Sequence, residues 1–136
     1  MISIVIVSHS QEIAAGVKRM AEQLCEGEVC VAAVGGVPDD GGSYRLGTDV
    51  HRIAKAIREA WNADGVLILM DLGSSVMSAE MAVEMLPPEM AARCLLSNAP
   101  LVEGTIVAAL HASLGHTLAD VNAAAEESRT VDKLGG

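Results

Sequence analysis

Residues 2–7 read Ile-Ser-Ile-Val-Ile-Val, a β-branched run with almost no polar alternation. A strand that faces water on one side alternates polar and apolar residues. One buried on both faces does not, and that pattern belongs to parallel sheets covered by helices. Residues 66–70, Val-Leu-Ile-Leu-Met, repeat the feature. Weaker strand signals lie at 28–34 and 93–97. Between them the apolar spacing turns helical, at 13, 14, 17, 20, 21 and 24 and again at 50, 53, 54, 57 and 61. Ser10 and Thr48 are the expected caps of these two helices. Further helices are expected from Gly73 to about Leu86, where Pro87-Pro88 stops the run, from Leu101 to Ser113 and from Thr117 to Glu127. Residues 35–47, rich in Gly, read as a loop. Strands alternating with helices predict one parallel α/β domain over residues 1–127. Residues 128–136 are expected to be a tail or linker.

Composition removes several functions. The 136 residues are 51% hydrophobic, so the chain can bury a core and is not a disordered segment. There is no Phe, one Trp and one Tyr, which leaves no aromatic platform for stacking bases. The net charge of −9 has the wrong sign for phosphate backbones, so nucleic acid is not an expected partner. A basic protein face suits it better. Lys18, Arg19 and Arg45 are local exceptions. Three cysteines without a CxxC pair suggest neither a disulfide framework nor structural zinc. No apolar run approaches the length of a membrane span, and residues 1–7 read as a strand rather than a signal peptide. The expected location is the cytoplasm.

In parallel α/β sheets, ligands bind outside the carboxyl ends of the strands. The segments there are Ser8-His9-Ser10, Gly35-Gly36, Asp71-Leu72-Gly73-Ser74-Ser75 and Asn98-Ala99-Pro100. If the first and third strands are neighbours, the His9 imidazole and the Asp71 carboxylate can touch. The carboxylate would hold one ring nitrogen as N–H and leave the other a free lone pair. A free imidazole titrates near about 6.5, so much of it is nucleophilic at neutral pH. That is what reversible phosphoryl acceptance requires. Ser10 and Gln11 open one helix, and Gly73, Ser74 and Ser75 open another. Helix N-termini offer free N–H groups and a positive dipole end to an oxyanion. Thr48 and Ser74 or Ser75 could add hydroxyl donors.

Each residue also has a plainer reading. His9 could be a loop histidine that caps a helix, and Asp71 a loop acid. A phospho-aspartate receiver would need acidic residues after the first strand to hold Mg²⁺, and Ser8-His9-Ser10 contains none. His51 lies beside Arg52, Lys55 and Arg58 and reads as solvated. His111 and His116 are five apart, which does not suit two ligands on one helical face, so no metal site is expected. Met77, Met81 and Met85 form a stripe that either completes a buried core helix or packs on a second subunit.

Ile-Val-Ile-Val-Ser-His-Ser at the start, Gly35-Gly36 leading to Leu46-Gly47-Thr48, and Leu-Met-Asp-Leu-Gly-Ser-Ser at 69–75 together resemble one family. So does Ser97-Asn98-Ala99-Pro100-Leu101-Val102-Glu103-Gly104. This is the phosphotransferase subunit of the phosphoenolpyruvate-dependent dihydroxyacetone kinase, related to mannose-type IIA domains of the bacterial sugar phosphotransferase system (PTS). The resemblance covers about residues 1–125. It implies a four-stranded, mainly parallel sheet in order 2-1-3-4 with helices on both faces, and a homodimer. It implies that His9 accepts phosphate from the phosphocarrier HPr and passes it to ADP on a separate nucleotide-binding subunit. A further subunit would hold dihydroxyacetone. Asp71 matches the carboxylate that orients the histidine. No cofactor is expected on this chain, since ADP and Mg²⁺ would belong to the partner. The chain is expected to be either a single-domain member or the first domain of a longer protein. The alternatives are a transporter IIA domain that feeds a IIB domain, and a non-catalytic binding module.

Overall fold

The computed structural model describes residues 1–135. Its main sheet has four parallel strands: β1 (Ser3–Ser8), β2 (Val31–Gly35), β5 (Val66–Met70) and β6 (Cys94–Leu96), in the order β2-β1-β5-β6. Counting these four alone, the order is the expected 2-1-3-4. The helices are α1 (Gln11–Leu24), α2 (Val50–Ala60), α3 (Gly73–Glu84), the single turn α4 (Pro88–Ala91), α5 (Leu101–Ser113) and α6 (Leu118–Glu127).

The unbroken apolar runs have a direct structural cause. Side chains alternate across a strand, so both faces of β1 and β5 must be covered. Ile4, Ile6, Leu67 and Leu69 pack on one side with Val17, Ala21, Ala108, Ala112 and Val121 from α1, α5 and α6. Val5, Val7, Ile68 and Met70 pack on the other with Ile53, Ile57, Ala79 and Ala82 from α2 and α3. All the residues of these two strands are buried. The Ala-rich helices lie close to the sheet. At Gly104 in α5, an added Cβ would stand 2.5 Å from Ala99 Cβ.

Several boundaries differ from the sequence reading, each for a local reason. The β2 strand begins at Val31 rather than Glu28, because the chain turns after α1 with Glu26 and Gly27 at positive φ and reaches the β1 ladder only at Cys30, whose carbonyl accepts from Ile4 N–H at 2.9 Å. The Gly-rich loop contains a two-stranded antiparallel ribbon, β3 (Val37–Pro38) and β4 (Tyr44–Arg45), whose turn is held by the Asp39 carboxylate accepting from Gly41 and Ser43 N–H. Asp49, not Thr48, caps α2, with its carboxylate accepting from His51 and Arg52 N–H. Pro87-Pro88 does stop α3, but Pro88 then starts α4, as proline suits a first helical position. The expected cap at Ser10 does form, accepting from Ile13 N–H at 3.2 Å.

The segment after Glu127 does not fray at once. Ser128–Thr130 forms a 3-10 turn, and Lys133 Nζ lies 3.7 Å from Glu103 of α5. Gly136, the last residue of the expected tail, lies outside the described residues. The methionine stripe of α3 is not core: Met77, Met81 and Met85 are 67%, 54% and 46% exposed. The opposite side of α3 fills the core instead, through Ala79 and Ala82. His51 is exposed, as expected.

Candidate active site

The β1–β5 register pairs Val7 with Met70, and Asp71 N–H donates to Val7 carbonyl at 3.2 Å. The next residues on each strand, Ser8-His9 and Asp71, therefore leave the sheet side by side at its carboxyl edge. His9 Nδ1 lies 2.9 Å from Asp71 Oδ1. Two backbone amides complete the clamp: His9 N–H donates to Asp71 Oδ2 at 3.0 Å and Leu72 N–H donates to Oδ1 at 2.7 Å. The Ser8 hydroxyl donates to Oδ2 at 2.8 Å.

Burial alone would push the Asp71 carboxyl upward. The His9 amide, the Ser8 hydroxyl, the His9 ring and the Leu72 amide together outweigh it and lower the pKa to about 2. Asp71 is thus an anion at neutral pH and can only accept. The ring nitrogen facing it must carry the proton. That assigns the neutral imidazole as Nδ1–H and leaves the lone pair on Nε2. The Nε2 atom meets the Ser74 hydroxyl, which donates to it. The His9 side chain is 22% exposed, enough for a partner to reach Nε2, while Asp71 is 15% exposed behind it.

The other expected phosphate ligands divide. Gly73 and Ser74 occupy the first turn of α3, where helix geometry leaves N–H groups without intrahelical acceptors, and the Ser74 hydroxyl brings that turn to Nε2. Ser75 is a correction: it is fully buried, and both its hydroxyl and its N–H donate to Leu72 carbonyl. The Gln11 side chain has protein partners: its Oε1 accepts from Gly35 N–H at 3.1 Å and from Arg52 Nη2 at 3.5 Å, tying α1 to the β2 end, while its place in the first turn of α1 is as expected. The Ser10 hydroxyl is likewise committed, to Ile13 N–H and to Glu12. Thr48 Oγ1 lies 2.6 Å from Ser78 Oγ on α3, so it braces that helix one turn beyond Ser74.

Three contributors were missed from sequence. Ser8 entered only as part of the Ser8-His9-Ser10 segment at the carboxyl end of β1, and a polar residue closing an otherwise apolar buried run was the available signal. Gly47 N–H donates to His9 carbonyl at 2.9 Å and fixes the loop from the ribbon side. Arg52 donates to the carbonyls of Gly35 and Gly36 and lies over the Tyr44 ring. Neither contact follows from spacing. A cavity of about 420 Å³ lined by Asp64, Arg93, His116 and Thr117 lies at the amino edge of the sheet, away from His9. Among the described residues no group of three or more His, Cys, Asp or Glu is placed to hold a metal ion. Among the described residues no helix is long and apolar enough to cross a membrane.

Fold and site define a parallel α/β domain that presents a carboxylate-oriented histidine at the carboxyl edge of its sheet. A family model described as the PTS system fructose IIA component matches residues 3–122, and the chain belongs to that family. It is 43% identical over 115 residues to the phosphoryl donor subunit DhaM of the phosphoenolpyruvate-dependent dihydroxyacetone kinase of Escherichia coli, covering 85% of this chain and 24% of that protein. It is 40% identical to the corresponding subunit of kinase 2 of Listeria innocua, covering 81% of this chain and 85% of that one. The chain thus spans about a quarter of the first of these relatives and most of the second. A crystal structure of a protein of unknown function superposes with a TM-score of 0.81 at 37% identity, covering 93% of each chain. A sigma-54 interaction domain protein from Enterococcus faecalis shares the fold, with a TM-score of 0.68 at 19% identity, covering 94% of this chain and 90% of that one.

The depressed Asp71 pKa carries a stability signature. Its folded value of about 2 lies below the ordinary 3.8, so its contribution is fully present above pH 4 and is lost as pH falls through about 2. About 1.4 kcal/mol per unit makes this about 2 kcal/mol. Chemical denaturation from pH 6 to pH 2 should show the gap between wild type and Asp71→Asn closing by about that amount below pH 4. A gap that is constant with pH would mean Asp71 is not held as an anion.

Proposed function

We propose that the chain is a phosphohistidine carrier that takes a phosphoryl group from HPr onto His9 and delivers it to ADP on the nucleotide-binding subunit of a dihydroxyacetone kinase. The observation that carries this is the divided ring of His9: Nδ1 on an ionised carboxylate, Nε2 turned outward to the Ser74 hydroxyl. The relatives named as phosphoryl donor subunits supply the acceptor system.

The Nε2 lone pair attacks the incoming phosphorus. One N–P bond forms as the donor's N–P bond breaks, and the electron pair of the broken bond stays on the donor imidazole. His9 keeps its Nδ1 proton throughout, so the phosphorylated ring is cationic. Asp71 compensates that charge at 2.9 Å. In the onward step a terminal oxygen of ADP takes the phosphorus, and His9 returns to the neutral Nδ1–H form. The N–H groups of Gly73 and Ser74, at the positive end of α3, face the phosphoryl oxygens. ADP and its Mg²⁺ sit on the partner, which would act with this chain in the cytoplasm, and dihydroxyacetone binds a further subunit. The carrier domain spans residues 1–127.

Incubation with phosphoenolpyruvate, enzyme I and HPr should put acid-labile phosphate on the wild type and none on His9→Ala. Full labelling of His9→Ala would end this reading, and no labelling of wild type would favour a binding module. Draining of the label by an ADP-loaded kinase subunit, and not by a IIB domain, separates the kinase role from sugar transport.

The exposed row Met77, Met81 and Met85 is the face on which a second copy would pack. Sedimentation should give a dimer for wild type and a monomer for Met81→Glu. An unchanged dimer would place the interface elsewhere.

A further inference from the structure

The Ser8 hydroxyl is fully buried at the end of β1, although every neighbour along the strand from Ile4 to Val7 is aliphatic. A hydroxyl in such a place costs stability unless it is satisfied. Here it makes two hydrogen bonds. It donates to Asp71 Oδ2 at 2.8 Å and accepts from Ser10 N–H at 3.0 Å. Its own backbone is fixed as well: Ser8 pairs with Gly35 in the β1–β2 ladder, and its carbonyl accepts from Gly36 N–H at 3.3 Å. One side chain thus joins the ends of β1 and β5 and the cap of α1.

We infer that Ser8 is a positioning residue for phosphoryl transfer: its hydroxyl locks the Asp71 carboxylate in the rotation that keeps Oδ1 on His9 Nδ1 and Nε2 facing outward. The inference rests on the carrier role proposed for His9. The geometry supports it in three ways. Asp71 Oδ2 has two donors, the Ser8 hydroxyl and the His9 amide, and only the first comes from a side chain. The Ser8 hydroxyl is behind the carboxylate, so it cannot meet an incoming phosphoryl group. Its second bond holds Ser10 N–H and thereby the chain that leaves His9 for α1. Without the hydroxyl, Asp71 Oδ2 keeps a single donor and Ser10 N–H loses its acceptor. The carboxylate is then held only by the His9 and Leu72 amides and the His9 ring, and with a looser clamp the histidine it orients spends less time in the attacking arrangement.

A group that aligns without touching the donor protein should affect kcat and leave KM alone. Ser8→Ala is expected to lower kcat for phosphoryl uptake from phosphorylated HPr on the order of tenfold, the scale of one hydrogen bond to a charged group. KM for that donor should stay within about twofold on the same argument. Ser8→Cys, of similar shape but with a weak S–H donor, should fold and lose most of the same kcat. Ser8→Thr restores the hydroxyl and should recover it. The Asp71 carboxyl titration, followed by carbon NMR, should move up from about 2 in Ser8→Ala and Ser8→Cys. Ser3→Ala is the matched control: Ser3 is also buried on β1, but its hydroxyl accepts from Asn62 Nδ2 at the far end of the strand. It should cost stability and leave kcat intact.

If Ser8→Ala fails to fold, Ser8→Cys decides. A folded Ser8→Cys protein with wild-type kcat and an unmoved Asp71 titration overturns the inference, as does an equal kcat loss in Ser3→Ala. Loss of labelling in His9→Ala alongside full kcat in the Ser8 variants would remove Ser8 and leave the carrier role standing. Retained labelling in His9→Ala would remove both.

Discussion

Everything at the carboxyl edge of the sheet depends on Asp71 staying ionised while partly buried. A carboxylate in that position is costly unless donors surround it. Four donors do so, and their sum exceeds the burial penalty, bringing the pKa to about 2. Because the anion only accepts, it dictates which nitrogen of His9 holds the proton. The ring nitrogen that keeps its lone pair is therefore fixed by the environment of a neighbouring residue rather than by His9 itself.

The sheet makes this arrangement possible. Parallel pairing of β1 with β5 brings Ser8-His9 beside Asp71 with no insertion or bulge. The two strands are buried on both faces, so their ends move little relative to each other. The ribbon of β3 and β4 and the Arg52 contacts then close the site from the β2 side. Nothing in this scheme needs an enclosed pocket. The proposed carrier role requires the reacting atom to be within reach of protein partners, and His9 is 22% exposed over a more buried Asp71.

The two central strands were legible because continuous β-branched runs leave few other solutions, and β5 falls on the expected residues, whereas the strand order came only from the family resemblance. The His9–Asp71 juxtaposition was legible too, since parallel strands that end in phase put the following residues together. The side-chain partners of the expected phosphate-binding residues were not. Ser10, Gln11 and Ser75 stand where a helix opens, and composition favours all three as anion donors. Whether a hydroxyl or amide is free depends on its other bonds, and those arise from tertiary contacts with Ile13, Gly35 and Leu72. The methionine stripe shows a related limit: periodicity marks an apolar face, yet only packing reveals that the α3 core is built from Ala79 and Ala82 and leaves the methionines outside. The ribbon at 37–45 was hidden because two-residue strands carry almost no pattern.

In the proposed relay, Asp71 assigns the chemistry to Nε2 of His9. Phosphorus–nitrogen correlated NMR on the phosphorylated protein with labelled histidine tests it most directly. The expected spectrum shows phosphorus bonded to Nε2 of His9, with Nδ1 still carrying a proton hydrogen-bonded to Asp71. Phosphorus on Nδ1, or on another residue, would contradict it.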